Sequence, residues 1–240
     1  MRKLSAGMLV SSILTLGTEI AFAEETPNPE SQYYGEQLCQ SNPTDFICHR
    51  VKPGQSWTKL FPEEKLREKV MRINRRNLPI YAGMWIAVPR DLNKDYMSYA
   101  PCPYEIPATG QKLVRINMKS LAFCAYSAKG SLVHWGPVSG GKYWCQDIGR
   151  DCSTQEGSYL VFDKRGRECE SNTFPVEEAG GAKMPFCMFF YRGYALHAST
   201  LPGYNDSHGC VRMFYKDAIW LNRGFVMVGD TAVEVVSGYD

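Results

Sequence analysis

The sequence Ser-His-Gly-Cys-Val-Arg-Met occupies residues 207–213, and a Tyr-Ala-Leu-His-Ala segment precedes it at 194–198. A thiol, Cys210, and an imidazole, His197, therefore fall within 14 residues of one another. A cysteine becomes an effective nucleophile when a nearby histidine takes its proton or stabilises its thiolate. The glycine before the cysteine allows a tight turn, which can direct N–H groups at the oxyanion of an attacked carbonyl. The pattern predicts acyl transfer by a Cys–His pair.

Two other interpretations of these residues stay open at the level of local sequence. His197, His208 and Cys210 are all potential zinc ligands, although the sequence has no paired CxxC or HxxxH and no clear fourth ligand. Cys210 can also be one more member of a disulfide, with the histidines at the surface. We predict the thiol chemistry, and therefore no metal and no cofactor.

Nine cysteines lie between residues 39 and 210. This usage is typical of an exported chain that forms disulfides in an oxidising compartment. Because nine is odd, at least one thiol stays unpaired within the chain. Short separations predict the bridges Cys39–Cys48 and Cys145–Cys152, and the sequence does not choose among the remaining connectivities.

Residues 1–23 have the three parts of a secretory signal peptide. Arg2 and Lys3 give a positive start, residues 4–17 are largely apolar, and residues 21–23 supply an Ala-Phe-Ala cleavage pattern. The apolar run is shorter than the roughly 20 residues that span a bilayer. We predict secretion to the periplasm or cell envelope, with no transmembrane anchor after cleavage.

The 240 residues fit one large domain or a medium domain with a small companion. Hydrophobic residues make up 44% of the chain, which is enough for a folded core. The formal net charge of +2 gives no electrostatic reason to expect nucleic acid or an anionic membrane surface as a partner.

Composition and periodicity divide the rest of the chain into four segments. Residues 24–47 are polar and predicted to be an irregular arm, and residues 91–111 are Pro- and Tyr-rich and predicted to be a linker. Between them, residues 48–90 predict a strand, a helix and a second strand. Residues 112–240 predict a mostly-β domain, because β-branched and aromatic runs alternate with Gly-rich turns and only residues 216–223 look helical.

The segment 48–90 resembles a LysM carbohydrate-binding module. Residues 51–57, Val-Lys-Pro-Gly-Gln-Ser-Trp, are similar to the opening strand and turn of that family, and residues 83–89 to its closing strand. Asn74 and Asn77 match its Asn-rich middle. The resemblance implies that this small α+β unit binds peptidoglycan glycan. The alternative is an ordinary α+β unit without a sugar site.

The segment 112–236 resembles the YkuD-type L,D-transpeptidase family. The heptapeptide at 207–213, preceded by a histidine at a strand end, is its most specific motif. Supporting words occur in the right order, and they are Gly-Pro-Val-Ser-Gly-Gly-Lys at 136–142, Thr-Gln-Glu-Gly-Ser-Tyr at 154–159 and Met-Pro-Phe-Cys-Met-Phe-Phe at 184–190. The implied fold is a β-sandwich or mixed β domain with few helices.

The same resemblance assigns the central roles of the site. Cys210 is the implied nucleophile and His197 the implied general base, with the backbone carbonyl of Ala198 orienting the ring. His208 and Gly209 match the turn whose N–H groups, with that of Cys210, form the oxyanion hole. The family usually has glycine where this chain has Ala198, a departure that bears on loop shape and substrate preference more than on the chemistry.

Further residues are implied to line the site. Ser207 is expected to brace the turn, and Arg212 matches a residue near the substrate carboxylate. For Arg212 the alternative is a surface arginine paired with a structural acid. Tyr194 and Tyr204 are candidates for the cleft wall, and aromatic packing in the core is the alternative for each.

The family chemistry implies a peptidoglycan substrate. A tetrapeptide stem forms a thioester with the cysteine, D-alanine leaves, and an amine takes the acyl group. Another stem as acceptor gives a 3→3 cross-link, a protein lysine gives protein anchoring, and water gives an L,D-carboxypeptidase. The alternatives are a cysteine hydrolase acting on peptidoglycan and a non-catalytic wall-binding protein.

Overall fold

A computed structural model describes residues 32–175, 178 and 180–238. The predicted signal peptide and the first part of the predicted arm lie outside the described residues. The described chain begins with helix α1 (Tyr34–Ser41), so the prediction of an irregular arm over 24–47 is wrong for this stretch. The helix is fixed by tertiary contacts, a disulfide from Cys39 and a hydrogen bond from its first N–H to the Gly203 carbonyl at 2.9 Å.

The N-terminal unit is a two-stranded sheet with two helices inserted between its strands. Strand β1 (Phe46–Arg50) pairs antiparallel with β2 (Trp85–Pro89), and α2 (Trp57–Leu60) and α3 (Glu64–Ile73) lie between them. The predicted order of strand, helix and strand is confirmed, with α2 as an addition. The hydroxyl of Ser56 caps α2 by accepting the Lys59 N–H at 3.3 Å.

The larger unit is a nine-stranded mixed sheet, which confirms a mostly-β domain with few helices. Its strands are β3 (Leu113–Asn117), β4 (Ala122–Tyr126), β5 (Leu132–Ser139), β6 (Gly157–Leu160), β7 (Asp163–Lys164), β8 (Met188–Tyr191), β9 (Tyr194–Ala198), β10 (Val211–Met213) and β11 (Ala232–Val236). Their order is β6-β11-β3-β4-β5-β10-β9-β8-β7. The pairs β11–β3 and β10–β9 are parallel, and the others are antiparallel.

One hydrophobic core serves both halves of this sheet. Buried side chains from β3, β4 and β5 join those from β8, β9 and β10 in a single cluster, which includes Val114, Phe123, Val138, Met188, Leu196 and Met213. The sheet is therefore curled around a shared interior, as one continuous sheet instead of two separate ones. Helix α4 (Tyr215–Ile219) and the π-helical turn Trp220–Phe225 cover it, where the sequence predicts a helix over 216–223.

Four disulfides tie the irregular segments to these elements. The predicted bridges Cys39–Cys48 and Cys145–Cys152 are both confirmed. The other two are Cys102–Cys124 and Cys169–Cys187. Through the first of these, the predicted linker over 91–111 is attached to β4, and it contains a short 3-10 turn at Tyr96–Tyr99. Cys210 is the one free cysteine.

A buried ion pair joins the N-terminal unit to the larger one. The Arg72 guanidinium on α3 donates to both carboxylate oxygens of Asp217 on α4, at 2.9 Å each, and to the Trp135 carbonyl at 2.9 Å. His134 contacts the same carboxylate at 2.9 Å. The side chains of Arg72 and Asp217 are only 7% and 2% exposed, so protein groups and not water compensate both charges, with the Glu68 carboxylate as a second, more distant partner of Arg72 at 3.6 Å.

Candidate active site

Two parallel strands bring the predicted nucleophile and base to one place. In the β9–β10 pair, Arg212 lies beside His197, and Cys210 immediately precedes β10. A loop connects the end of β9 to the Ser207 turn, and the strand that follows this turn, β10, pairs with β9. His197 and Cys210 both line a cleft of about 430 Å³.

The turn before Cys210 accepts only glycine at position 209. Gly209 has a φ of +121°, a conformation that side chains with a Cβ rarely adopt. A Cβ at this position would lie 2.0 Å from a ring carbon of Tyr194. The Ser207 hydroxyl closes the turn, because it accepts the Gly209 N–H at 3.0 Å and donates to the Cys210 carbonyl at 2.5 Å. Thr154 adds a hydrogen bond to the Gly209 carbonyl at 2.9 Å.

This hydrogen bonding corrects the expected oxyanion hole. The Gly209 N–H is already bound to the Ser207 hydroxyl, so it is occupied and does not face the cleft as a free donor. In the described chain, the N–H groups of His208 and Cys210 in this turn have no protein acceptor. These two are the backbone donors that remain for a developing oxyanion. Gly209 contributes the bend that presents them.

Among the residues that the structure describes, one ring nitrogen of His197 has a hydrogen-bond partner and the other has none. Its Nδ1 lies 3.0 Å from the carbonyl oxygen of Ala198. Because that oxygen can only accept, Nδ1 carries the proton and Nε2 keeps its lone pair. Burial lowers the pKa of His197 from 6.5 to about 4, opposed by the Ala198 hydrogen bond and assisted by the Arg212 charge. At neutral pH the ring is therefore an uncharged base.

Cys210 is a half-buried thiol that lines the cleft. Its sulfur donates to the Gly193 carbonyl at 3.8 Å. Burial raises the pKa of the Cys210 thiol above its ordinary value, and a backbone hydrogen bond at Ala195 and the Arg212 charge oppose that rise. The structure therefore presents a neutral thiol and a neutral imidazole, and not a preformed thiolate–imidazolium pair.

The pH dependence of alkylation tests this resting state. We expect the rate at which iodoacetamide labels Cys210 to rise roughly tenfold per unit between pH 7 and 9, because the thiolate is the reacting form and the thiol pKa is raised. Mass spectrometry of the intact protein and of its peptides measures the rate and the site. A rate that is already level from pH 5 upward would show a preformed ion pair instead.

His208 lines the same cleft, and its ring is bound to residues other than Cys210 and His197. Its Nε2 lies 2.6 Å from a carboxylate oxygen of Asp147, and its ring stacks on Phe174 at a centroid distance of 4.4 Å. The hydrogen bond with His208 lowers the pKa of the Asp147 carboxyl. The side chain of His208 thus anchors the turn, while its backbone N–H stays beside Cys210.

The zinc interpretation of His197, His208 and Cys210 finds no support in this arrangement. In the described part of the chain, His208 is turned to Asp147 and the Nδ1 of His197 to a backbone carbonyl. The side chains that do approach one another with metal-ligand atoms are Cys145, Asp147 and His208. The sulfur of Cys145 is in a disulfide, so it does not offer a thiolate.

The cleft is bordered by positive charge. Arg150, Lys183 and Arg212 all line it, and Lys183 also pairs with Glu170. Arg212 donates to Asp206 at 3.3 Å, and a quarter of its side chain is exposed. Arg212 is therefore paired with an acidic side chain, as the alternative interpretation expected, and it also lines the cleft. Such a border favours a substrate that carries carboxylates.

The aromatic candidates separate in the structure. Tyr194 lines the cleft and packs against the Gly209 turn. Tyr204 instead packs edge to face against Tyr33, with ring centroids 5.5 Å apart.

The sequence interpretation missed Asp147, Thr154 and Phe174. Thr154 lies in a motif quoted for the family resemblance, but its contact with Gly209 crosses 55 positions.

The comparison with protein families agrees with the sequence motif. The family model for the YkuD L,D-transpeptidase catalytic domain matches residues 111–235. No curated protein matches the chain. Solved structures similar to it include L,D-transpeptidases from Xylanimonas cellulosilytica (26% identity, TM-score 0.46), Mycobacterium smegmatis (21%, 0.42) and Stackebrandtia nassauensis (18%, 0.45).

These structural matches are partial on both sides. They cover 58%, 52% and 58% of this chain. The chain in turn spans 65%, 58% and 63% of those proteins, which is less than two thirds of each.

Proposed function

Because the chain belongs to the YkuD family of L,D-transpeptidase catalytic domains, we propose that it is a peptidoglycan L,D-transpeptidase with Cys210 as its nucleophile. One observation carries the proposal. Eight of the nine cysteines are paired in four bridges, and the remaining thiol directly follows the glycine bend, in the cleft that His197 also lines.

In the first half-reaction the sulfur attacks the carbonyl that precedes the terminal D-alanine of a tetrapeptide stem. The S–H proton passes to Nε2 of His197 as the S–C bond forms, and the N–H groups of His208 and Cys210 face the oxyanion. The C–N bond then breaks, and His197 gives its proton to the leaving amine of D-alanine. A buried imidazole with a pKa of about 4 gives up that proton readily.

In the second half-reaction an acceptor replaces D-alanine. Its amine attacks the thioester, loses a proton to His197, and forms an amide while the proton returns to the sulfur. An acceptor stem yields a 3→3 cross-link and a protein lysine yields an anchored protein. Water as acceptor yields an L,D-carboxypeptidase. The positive border formed by Arg150 and Arg212 suits stems, which carry free carboxylates.

We propose in addition that residues 48–90 form a LysM-like module that binds glycan. The support is the resemblance of residues 51–57 and 83–89 together with the antiparallel pairing of β1 with β2 around two helices. Binding of glycan by such a unit raises the local concentration of stems at the cleft. Four disulfides support the companion proposal of export to the cell envelope, where thiols are oxidised.

Incubation of the mature protein with tetrapeptide muropeptides tests the function. We expect release of D-alanine and, with an amine acceptor present, a new amide product seen by mass spectrometry. Because the family reaction passes through an acylated cysteine, a carbapenem is expected to leave a mass adduct on Cys210. Release of D-alanine with only hydrolysed stems would assign a carboxypeptidase. An absence of turnover and of any adduct would leave a non-catalytic wall-binding protein.

A further inference from the structure

The loop that joins His197 to the Ser207 turn is held from two different directions. Its second half is bound by the sheet itself. The Ser139 hydroxyl donates to the Tyr204 carbonyl at 2.7 Å, and the Gly140 N–H donates to the side chain of Asn205 at 2.9 Å. This half is therefore fixed by the same sheet that carries the turn before Cys210.

The first half of the loop is held by the N-terminal unit. Asn77, just after α3, accepts the Leu201 N–H through its side-chain oxygen at 2.7 Å. Its own N–H donates to the Leu201 carbonyl at 3.1 Å, and its side-chain nitrogen lies 3.5 Å from the Ser199 carbonyl. Leu201 itself is fully buried. One asparagine thus holds both backbone groups of a residue four positions beyond the base.

Two neighbours extend this contact along the loop. The buried Arg76 donates to the Pro202 carbonyl at 2.6 Å, and the Tyr34 N–H donates to the Gly203 carbonyl at 2.9 Å. The carbonyls of Leu201 and Pro202 are therefore bound by groups of the N-terminal unit, and that of Gly203 by helix α1. In the described chain the site is thus built by two units, although all the residues that line the cleft belong to one.

The hydrogen bonds of Asn77 to the loop lie close in sequence to the group that orients the His197 ring. The Ala198 carbonyl orients the His197 ring. On one side of it in the chain is strand β9. On the other side, Ser199 donates to the Met213 carbonyl at 3.0 Å, and Leu201 is bound by Asn77. We propose that Asn77 is a positioning residue for His197, acting through the path of the chain after Ala198. The inference rests on the proposed function only in taking His197 as the general base.

The ring of His197 can be observed directly, without any reaction. The chain has four histidines, so ring signals are assigned by single substitutions in a 15N-labelled protein. In the wild type we expect the Nδ1–H form of His197 and titration near its pKa of about 4. In Asn77→Ala we expect a mixture of both ring forms and a pKa below that of the wild type. A less firmly held Ala198 carbonyl accepts a weaker hydrogen bond from the ring, and that bond is what raises the His197 pKa against the effect of burial.

A kinetic measurement accompanies the ring signal. We expect acylation of Cys210 by a carbapenem to be about tenfold slower in Asn77→Ala, because misplacement of a catalytic group costs rate. Asn77→Asp keeps an acceptor for the Leu201 N–H and is expected to restore both readings. Lys216→Ala removes exposed ion pairs with Glu64 and Glu68 between the same two units, away from the loop, and should change neither.

The outcomes separate the inference from the proposed function. If Asn77→Ala keeps the wild-type ring form and pKa while only its melting temperature drops, Asn77 is structural and the inference is overturned. If Asn77→Ala does not fold, Arg76→Met, which frees the Pro202 carbonyl, is expected to move the ring signal in the same direction, and an unmoved signal there overturns the inference equally. If the wild-type His197 ring shows the expected Nδ1–H form but Cys210 is never acylated, the proposed function is wrong and the positioning role of Asn77 still holds.

Discussion

Replacement of Cys210 by alanine is expected to lower the release of D-alanine from tetrapeptide stems by at least about 10⁴-fold, the scale on which removal of a covalent nucleophile acts. In the proposed mechanism the Cys210 thiol supplies the atom that forms the acyl intermediate, and all the other cysteines are bridged. Chromatography of muropeptides before and after incubation measures the loss.

The same substitution should leave the fold intact. Cys210 is half-buried at the edge of a small cluster with Met184 and Ala195, so the loss of one sulfur removes little packing. Cys210→Ser, which keeps the shape of the side chain, serves as the matched control for packing and should be similarly inactive. The carbapenem adduct should disappear in both variants. Turnover above about one hundredth of the wild-type rate in Cys210→Ala would contradict the role.

Replacement of Asp217 by leucine is expected to lower the free energy of unfolding by about 3–5 kcal/mol, the usual cost of breaking a buried ion pair on one side. The change removes the carboxylate that binds the Arg72 guanidinium at 2.9 Å and leaves this 7% exposed group with the more distant Glu68 carboxylate at 3.6 Å; His134 loses a partner as well. Urea unfolding followed by tryptophan fluorescence measures the difference.

Two further variants identify the cause of that loss. Arg72→Met combined with Asp217→Leu removes both charges and should recover most of the stability, because an apolar pair needs no counter-charge. Lys216→Ala, one residue away and exposed, should cost less than about 1 kcal/mol. If Asp217→Leu is as mild as Lys216→Ala, the buried pair is not what holds the two units together.

Local chemistry explains why so much of the site was predictable. The thiol, the glycine bend and the bracing serine are neighbours in sequence, so the heptapeptide at 207–213 describes its own geometry. Cys39–Cys48 and Cys145–Cys152 were found for the same reason, since their members are 9 and 7 positions apart. The alternating apolar runs likewise predicted the strands of the mostly-β domain.

What the sequence did not reveal depends on long-range contacts. Arg72 and Asp217 are 145 positions apart, and nothing beside either residue indicates a buried partner. Asp147 reaches His208 across 61 positions, through a loop closed by a disulfide. The direction of the Gly209 N–H was also mispredicted, because the Ser207 hydroxyl competes for it at a distance that only coordinates reveal.

The burial of Cys210 also affects how the disulfides of the chain form. Oxidative folding has to join eight sulfurs correctly while sparing a ninth, and Cys169–Cys187 belongs to the same cluster as that ninth. Disulfide exchange proceeds through thiolates, so a thiol whose ionisation is suppressed by burial attacks neighbouring bridges slowly. The burial that keeps Cys210 protonated thus also protects the four disulfides of the folded protein from exchange with it.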